Sequence, residues 1–435
     1  LIGSWRLGAD IATGADSSVA WQSCASATRL SITDMHYQAQ LAYEDVVSGR
    51  NLLACDLWAT PGVRPLHDTW VHQHLAQICA DISMVSLAAR PRRYGFPIGC
   101  FHHPQDWARD PCQWLPQQVR RDLDTGRAVL IFDQSHEGNG SADLWTWFYA
   151  MAARHSVDPQ QIIYITGDHL SESAHKAWCD RQQQMDRICV ISSNYWRFIT
   201  ASNLSKTAAR QLTWEQAWQG TEQRHLYNCL NRMPHAHRRW FVLLLAQFGL
   251  LQQGLVSMDR FDQLPPKPDG LTYDEITWEL LHRQLPLLVD KAELVTNYSC
   301  EVNPWIYEHS WFTIVTETDA SHNMLFLSEK IWKPMFCFSP FMVLGNPGTL
   351  RLLRDLGFCT FPELWDESYD DQTDMVKRML MIIEQIQRVS QLRDKRSWIA
   401  QAEPALRHNQ QLAWQLWHDS DECDRLVAEL QARTT

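Results

Sequence analysis

Between Trp311 and Asp370 the chain reads strand, loop, helix, strand, turn, helix: FTIVTET, a polar turn, FLSEKIWKPMFCF, then SPFMVLGNPGTLRLLRDLGF. Two short apolar strands joined by a helix-length segment lie side by side through a right-handed crossover, so this block demands a parallel sheet. The alternation recurs along the chain. Arg127–Phe132, Gln161–Thr166 and Ile188–Ser192 read as strands, with Ala142–Ala153 and Ser171–Met185 as the helices between them. Further strands are expected at Asn51–Leu57, Arg224–Leu230, Gly254–Ser257, Glu293–Thr296 and Trp311–Thr316. Further helices are expected at Asp68–Leu87, Ala236–Leu251, Met375–Gln391 and, after an interruption at Pro404, Ala405–Ala432.

A chain of 435 residues is too long for one ordinary core. The pattern predicts an α/β protein of two Rossmann-like, doubly wound domains, 1–205 and 206–400, facing each other across a cleft. A helical tail, 401–435, completes it. The polar stretch Leu204–Gln223 is the joint. A formal charge of −11 argues against a broad basic surface for nucleic acid, although basic residues bunch at Arg90–Arg93 and His235–Arg239. The 21 tryptophans are more than burial readily absorbs, so some are expected to line grooves or stack on flat ligands. Twelve cysteines without CxxC pairs fit reduced thiols in a cytoplasmic protein. The opening LIGSWRLGAD has neither the basic segment nor the apolar run of a secretory signal. The longest apolar run, Trp240–Leu251, is too short to span a bilayer and reads as a buried helix.

Chemistry concentrates at three points. Ser328-Glu329-Lys330 opens a helix at the carboxyl edge of the predicted sheet, with Ser328 as N-cap. Lys330 offers a point charge to a phosphate and Glu329 an acceptor to ribose hydroxyls. From these three residues alone, a plain helix start with an acid suited to its dipole is the stronger reading. Pro334 makes that helix short or kinked. Asn231-Arg232, then His237-Arg238-Arg239 at the mouth of an apolar helix, suit bidentate contact with a diphosphate, or else cap a core helix in solvent. Together the two points read as a site for a nucleoside diphosphate. The loop Asp133–Gly140 carries Asp133, His136 and Glu137, any of which suits a general base; the bland reading is a turn whose Asp caps a helix.

The Arg-bearing helix start, the downstream strand–ET–loop–SEK–helix and the PFMVLG segment resemble the nucleotide-binding domain of α1,3-fucosyltransferases. Those are inverting glycosyltransferases of the GT-B fold. LNRMPHAHR with GNPGTL, LGFCTF and DESYD is similar to uncharacterised bacterial and viral glycosyltransferase-like proteins. The resemblance covers roughly Tyr227 to Asp370. It implies that Arg238 and Lys330 hold the diphosphate and Glu329 the ribose; Ser328 and Arg232, beside them in the chain, are read from the residues as donor-binding too. Phe326 stands where the family has a tyrosine near the donor. Glu317-Thr318 matches the family's Glu-Asn, two residues further from Glu329 than in the family, so the resemblance does not carry the sugar or the choice between GDP and UDP.

Sugar transfer from a nucleotide sugar to a hydroxyl is therefore expected, with Glu137, Asp133 or His136 on the acceptor side. No cofactor is expected beyond the donor, and no metal if the cations neutralise the diphosphate. The acceptor is a glycan or, as in viral enzymes of this fold, a hydroxymethylated pyrimidine in DNA. A non-catalytic nucleotide-sugar or glycan-binding protein on the same fold is the other class. Cys100, His102, His103 and Cys112 match no standard zinc spacing, and Asp122-Leu-Asp124 reads as a helix end. Asp366, Glu367, Asp370 and Asp371 include an expected helix cap, with contact to donor hydroxyls the alternative for the first two, and Asp419–Asp424 reads as a solvated run.

Overall fold

The computed structural model describes residues 94–98, 110, 112, 115, 117–135, 137–193, 212–219, 224–289, 302–418 and 429. The expected elements Asn51–Leu57, Asp68–Leu87 and Glu293–Thr296 lie outside these residues. So do Arg90–Arg93, Cys100, His102, His103, His136 and Asp419–Asp424.

The fold is α/β with two parallel four-stranded sheets. In the first, β1 (Tyr94–Ile98), β2 (Ala128–Gln134), β3 (Ile162–Thr166) and β4 (Cys189–Ser192) lie side by side in chain order. Each step is a crossover in the same direction, through α1 (Gln117–Asp124), α2 (Ala142–His155) and α3 (Ser171–Gln182). Right-handed crossovers in one direction stack their helices on one face. Strand alternation agrees: Ala128, Leu130, Phe132, Ile162 and Tyr164 join a cluster with Val119, Trp145, Phe148 and Cys179 from those helices. Val129, Ile131, Ile163, Ile165 and Ile191 point the other way, into the cluster that also holds the core of the second sheet.

Two boundaries differ from expectation. Asp133 and Gln134 belong to β2, paired with Ile165 and Thr166, and not to the loop. Gln134 is buried, and its side-chain oxygen accepts from the Tyr164 hydroxyl at 2.7 Å, which lets the strand continue past its apolar run. β1 is not among the expected strands; its Pro97 sits opposite Ile131.

The second sheet runs β6-β5-β7-β8, from β5 (Tyr227–Asn231), β6 (Gly254–Met258), β7 (Thr313–Thr316) and β8 (Phe341–Leu344). After β5 the chain steps to one side for β6, then returns to the other side for β7 and β8. The connecting helices α4 (Ala236–Gln247) and α5 (Glu329–Phe336) therefore fall on opposite faces. The strand order reverses between β5 and β7, which is where open α/β sheets leave a crevice at their carboxyl ends.

The apolar run forecast as one helix to Leu251 ends at Gln247. Gly249 takes φ +66°, and Leu250 N–H turns back to Leu245 O. From Trp240 to Leu245 every side chain is buried. After β8 come α6 (Thr349–Asp355), α7 (Met375–Ser390) and α8 (Glu403–His418). Leu406 and Ala413 of α8 are buried in the second core, and Trp414 packs on Phe336 at 4.5 Å between ring centroids. Among the described residues, no helix is long and apolar enough to cross a membrane. Cys112, Cys179, Cys189, Cys229, Cys337 and Cys359 are free thiols, and no group of metal-ligating side chains is found among the described residues. Packing accounts for Trp145, Trp240 and Trp332, which are fully buried, whereas Trp305 is exposed.

Candidate functional site

The carboxyl edge between β5 and β7, where the strand order reverses, is built by residues from both. β5 ends at Asn231, whose side-chain oxygen accepts from the Thr316 hydroxyl at 2.5 Å. Past the exposed Arg232 the chain enters α4, and Arg238 in its first turn is buried. Its Nη2 donates to Thr316 O at 3.0 Å and Glu317 O at 2.8 Å; Nη1 donates to Met233 O at 3.2 Å. Nε is buried without a hydrogen-bond partner. His237 Nε2 donates to the same Glu317 carbonyl at 3.0 Å. Arg238 thus locks the start of α4 to the end of β7, and does not extend into solvent. Burial lowers its pKa against the pull of Glu317 and Glu329. Burial, then the Arg238 charge, push His237 down to about 3, so its ring is neutral near pH 7.

Glu317 follows β7 directly and is buried. Both of its carboxylate oxygens lie 3.3 Å from the Ser328 N–H, which donates to them at the mouth of α5. Burial raises its pKa against the opposing pull of Lys330 and Ser328. Ser328 is the N-cap, its hydroxyl oxygen accepting from Lys330 N–H at 3.3 Å. Lys330 Nζ lies 3.2 Å from that hydroxyl and 3.1 Å from Glu329 Oε1. Burial alone would raise the Glu329 carboxyl, but Lys330 and Lys333 outweigh it and hold it below the ordinary carboxylate range. α5 is eight residues long and contains Pro334, the short helix its sequence foretold.

These residues form one electrostatic unit. The charges of Glu317 and Glu329 both act on Arg238, and Lys330 acts on both carboxylates. Lys330 keeps 20% of its side chain exposed. His235, at the N-cap of α4, is pushed down to about 4 by burial, Arg238 and Lys330.

Sequence reasoning missed a further group at this edge. After Thr318, which is half-buried, Asp319 gathers the loop: Asn346 Nδ2 donates to Oδ2 at 2.9 Å and His322 Nδ1 donates to Oδ1 at 2.7 Å. The signal was available in Asp319, since an Asp in a polar loop commonly accepts from the backbone two residues on, as it does here from Ser321 N–H.

From the first sheet, the loop after β2 reaches the same edge. Glu137 is half-buried and anchored by its backbone, donating to Gln134 O and accepting from Gly167 N–H, both at 3.0 Å. A Cβ on Gly138 would lie 2.7 Å from Phe326 Cβ, so this loop touches the segment leading into Ser328. Phe326 is buried at that contact and packs on Gly167 as well, lodged between the β2 and β3 loops. Asp133 is set by β2 opposite Ile165, one turn of loop away from Glu137. Asp168, buried after β3, completes the crossing. Oδ1 accepts from Leu325 N–H at 2.9 Å and Leu170 N–H at 3.0 Å, Oδ2 accepts from Ser171 Oγ at 2.9 Å, and His169 N–H donates to Leu325 O at 2.8 Å.

The acidic run after α6 is structural. Asp370 accepts from Leu350 and Arg351 N–H at 2.9 and 3.1 Å, the expected helix cap, so the start of α6 is closed by the chain itself. Glu367 accepts from Phe361 N–H and the Thr360 hydroxyl and pairs with Arg354, while Asp366 accepts from Ser368 N–H.

No protein-family model matches the chain, and no curated protein matches it. Among solved structures, the chain is similar to an alpha,alpha-trehalose-phosphate synthase (UDP-forming) from Burkholderia vietnamiensis, with 14% sequence identity and a TM-score of 0.38. The similarity covers 83% of this chain and 77% of that one. At this distance the likeness bears on neither site nor substrate.

Proposed function

We propose that the protein is a glycosyltransferase of the GT-B kind, moving a sugar from a nucleoside-diphosphate sugar to an acceptor hydroxyl by one inverting displacement. The observation that carries this reading is the meeting of Arg238 and Lys330 on Glu317 and Glu329, at the reversal of strand order in the second sheet. The resemblance between Tyr227 and Asp370 supports it from the sequence side.

In this reading the donor's diphosphate lies against Lys330. Glu329 exchanges its contact with Lys330 for ribose hydroxyls. Arg238 acts from behind, its charge adding to the local field while its N–H groups hold β7 in place. A carboxylate at the first sheet's edge, Glu137 of the loop or Asp133 of β2, takes the acceptor's proton. The freed oxygen attacks the anomeric carbon as the bond to the diphosphate breaks, and Lys330 steadies the charge arriving on the leaving oxygens. The loop that carries Glu137 already abuts Phe326, two residues before Ser328, which supports the two halves sharing one gap.

The test is a thermal-shift screen against GDP-, UDP- and other nucleotide sugars, followed by assays of donor hydrolysis and transfer. One activated sugar is expected to raise Tm, since a ligand at a hundred times its Kd adds about 2.7 kcal/mol. A chain whose melting no nucleotide sugar moves would refute the reading. Binding without hydrolysis or transfer would leave a binding protein on this fold.

A further inference from the structure

Glu317 is held from three directions. Its N–H donates to Leu344 O at 3.0 Å, which ties it to β8. Its carbonyl accepts from Arg238 Nη2 at 2.8 Å and His237 Nε2 at 3.0 Å, both from the first turn of α4. Both carboxyl oxygens lie 3.3 Å from the Ser328 N–H at the mouth of α5. The residue is 2% exposed, so a ligand arriving from solvent does not reach that carboxyl, and its acceptors serve the protein itself.

Space for the side chain is reserved. A Cβ on Gly345, just past β8, would lie 3.3 Å from Glu317 Cγ and 3.4 Å from its Cβ, so a glycine leaves the stem uncrowded. From the carboxyl the contacts run on to the ammonium. The Ser328 hydroxyl oxygen accepts from Lys330 N–H at 3.3 Å and from Lys330 Nζ at 3.2 Å. Fixing the Ser328 backbone therefore fixes the oxygen on which Lys330 rests. Ser328 is itself buried, and without Glu317 its N–H would be a buried donor that the chain must shift to satisfy.

We propose that Glu317 is a positioning residue: it does not touch the donor, and its carboxyl, acting through Ser328, sets where Lys330 meets the diphosphate. The proposal rests on the reading of this strand edge as a diphosphate site. The carbonyl and the carboxyl do separate work. The carbonyl anchors the start of α4 and survives any substitution of the side chain, whereas the carboxyl alone reaches the start of α5. Changing the side chain therefore moves the Lys330 end of the site and leaves the Arg238 end in place.

A double-mutant cycle on turnover separates positioning from mere support. With Lys330 present, Glu317→Leu is expected to lower kcat by up to about a hundredfold, the scale of a misplaced reacting group. In the Lys330→Ala background the same substitution should cost nothing further, because the group it places is gone. Glu317→Gln keeps an acceptor for the Ser328 N–H and should recover most of the loss. If Glu317→Leu does not fold, Gly345→Ala takes its place: it keeps the carboxyl, crowds its stem, and should lower kcat only while Lys330 is present. Losses of equal size with and without Lys330, or a Glu317→Gln as slow as Glu317→Leu, overturn the proposal. Amide hydrogen exchange needs no ligand. Residues 328–331 should exchange faster in Glu317→Leu than in the wild type or Glu317→Gln, with α7 unchanged in all three. Should no nucleotide sugar be turned over, the transferase reading falls, and exchange at 328–331 upholds or overturns the placement of Ser328 by Glu317 on its own.

Discussion

Lys330 and Arg238 carry the same charge to the same strand edge, yet they are placed to do different work. The ammonium keeps part of its surface in water, whereas the guanidinium spends both terminal nitrogens on the carbonyls of Met233, Thr316 and Glu317. Replacing Lys330 with Ala should therefore lower turnover by about a hundred- to a thousandfold, the scale of losing one group that stabilises developing charge. Single-turnover donor cleavage checks this; near-normal rates would remove Lys330 from the chemistry. Much of this was legible beforehand. Ser328 as N-cap follows from local spacing, because a cap depends on residues two or three positions away. The inward turn of Arg238 was not legible, because its acceptors lie 78 and 79 residues downstream. His322 escaped for a related reason: its orientation depends on Asn346, on another loop.

Among elements, the two helix starts at this edge are closed in different ways. α5 opens beneath a carboxylate, Glu317, and is bordered by a lysine; α6 begins at Gly348, whose φ of +86° suits glycine, and is sealed by Asp370. Asp370→Ala should cost about 1–2 kcal/mol, measured by urea denaturation, and should leave nucleotide binding intact. Loss of nucleotide binding at full stability would show that the α6 start belongs to the ligand site after all. The crossovers and most strands were readable because apolar runs and helical periodicity are local signals. β2 ran past its forecast end because a buried Gln134 found Tyr164 on the neighbouring strand, a partner that periodicity cannot show.

The whole molecule shows an apolar join between its sheets. One cluster holds Ile131, Ile163 and Ile191 of the first sheet together with Phe326 and the strands of the second. Phe326 fits only because Gly138 and Gly167 lack side chains: a Cβ on Gly167 would stand 2.6 Å from its ring and 2.7 Å from Ser135 O. Gly167→Ala should therefore destabilise the protein by roughly 1–3 kcal/mol, the usual cost of overpacking, and adding Phe326→Ala should recover part of that loss. Strict additivity of the two substitutions in denaturant melts would show that Phe326 and Gly167 are energetically independent. The α/β class and the parallel sheets could be foreseen from the alternation of segments. This join could not, since it pairs loops far apart in the chain.

The hydrogen bonds from Asp168 and His169 to Leu325 have a mechanical meaning. They span the gap between the sheets three residues ahead of Ser328, so the strand edge of one half is tethered almost directly to the cap of the other half's helix. Prising the halves apart would load the segment 325–328. Admission of a ligand and the setting of Lys330 would then be two ends of one lever.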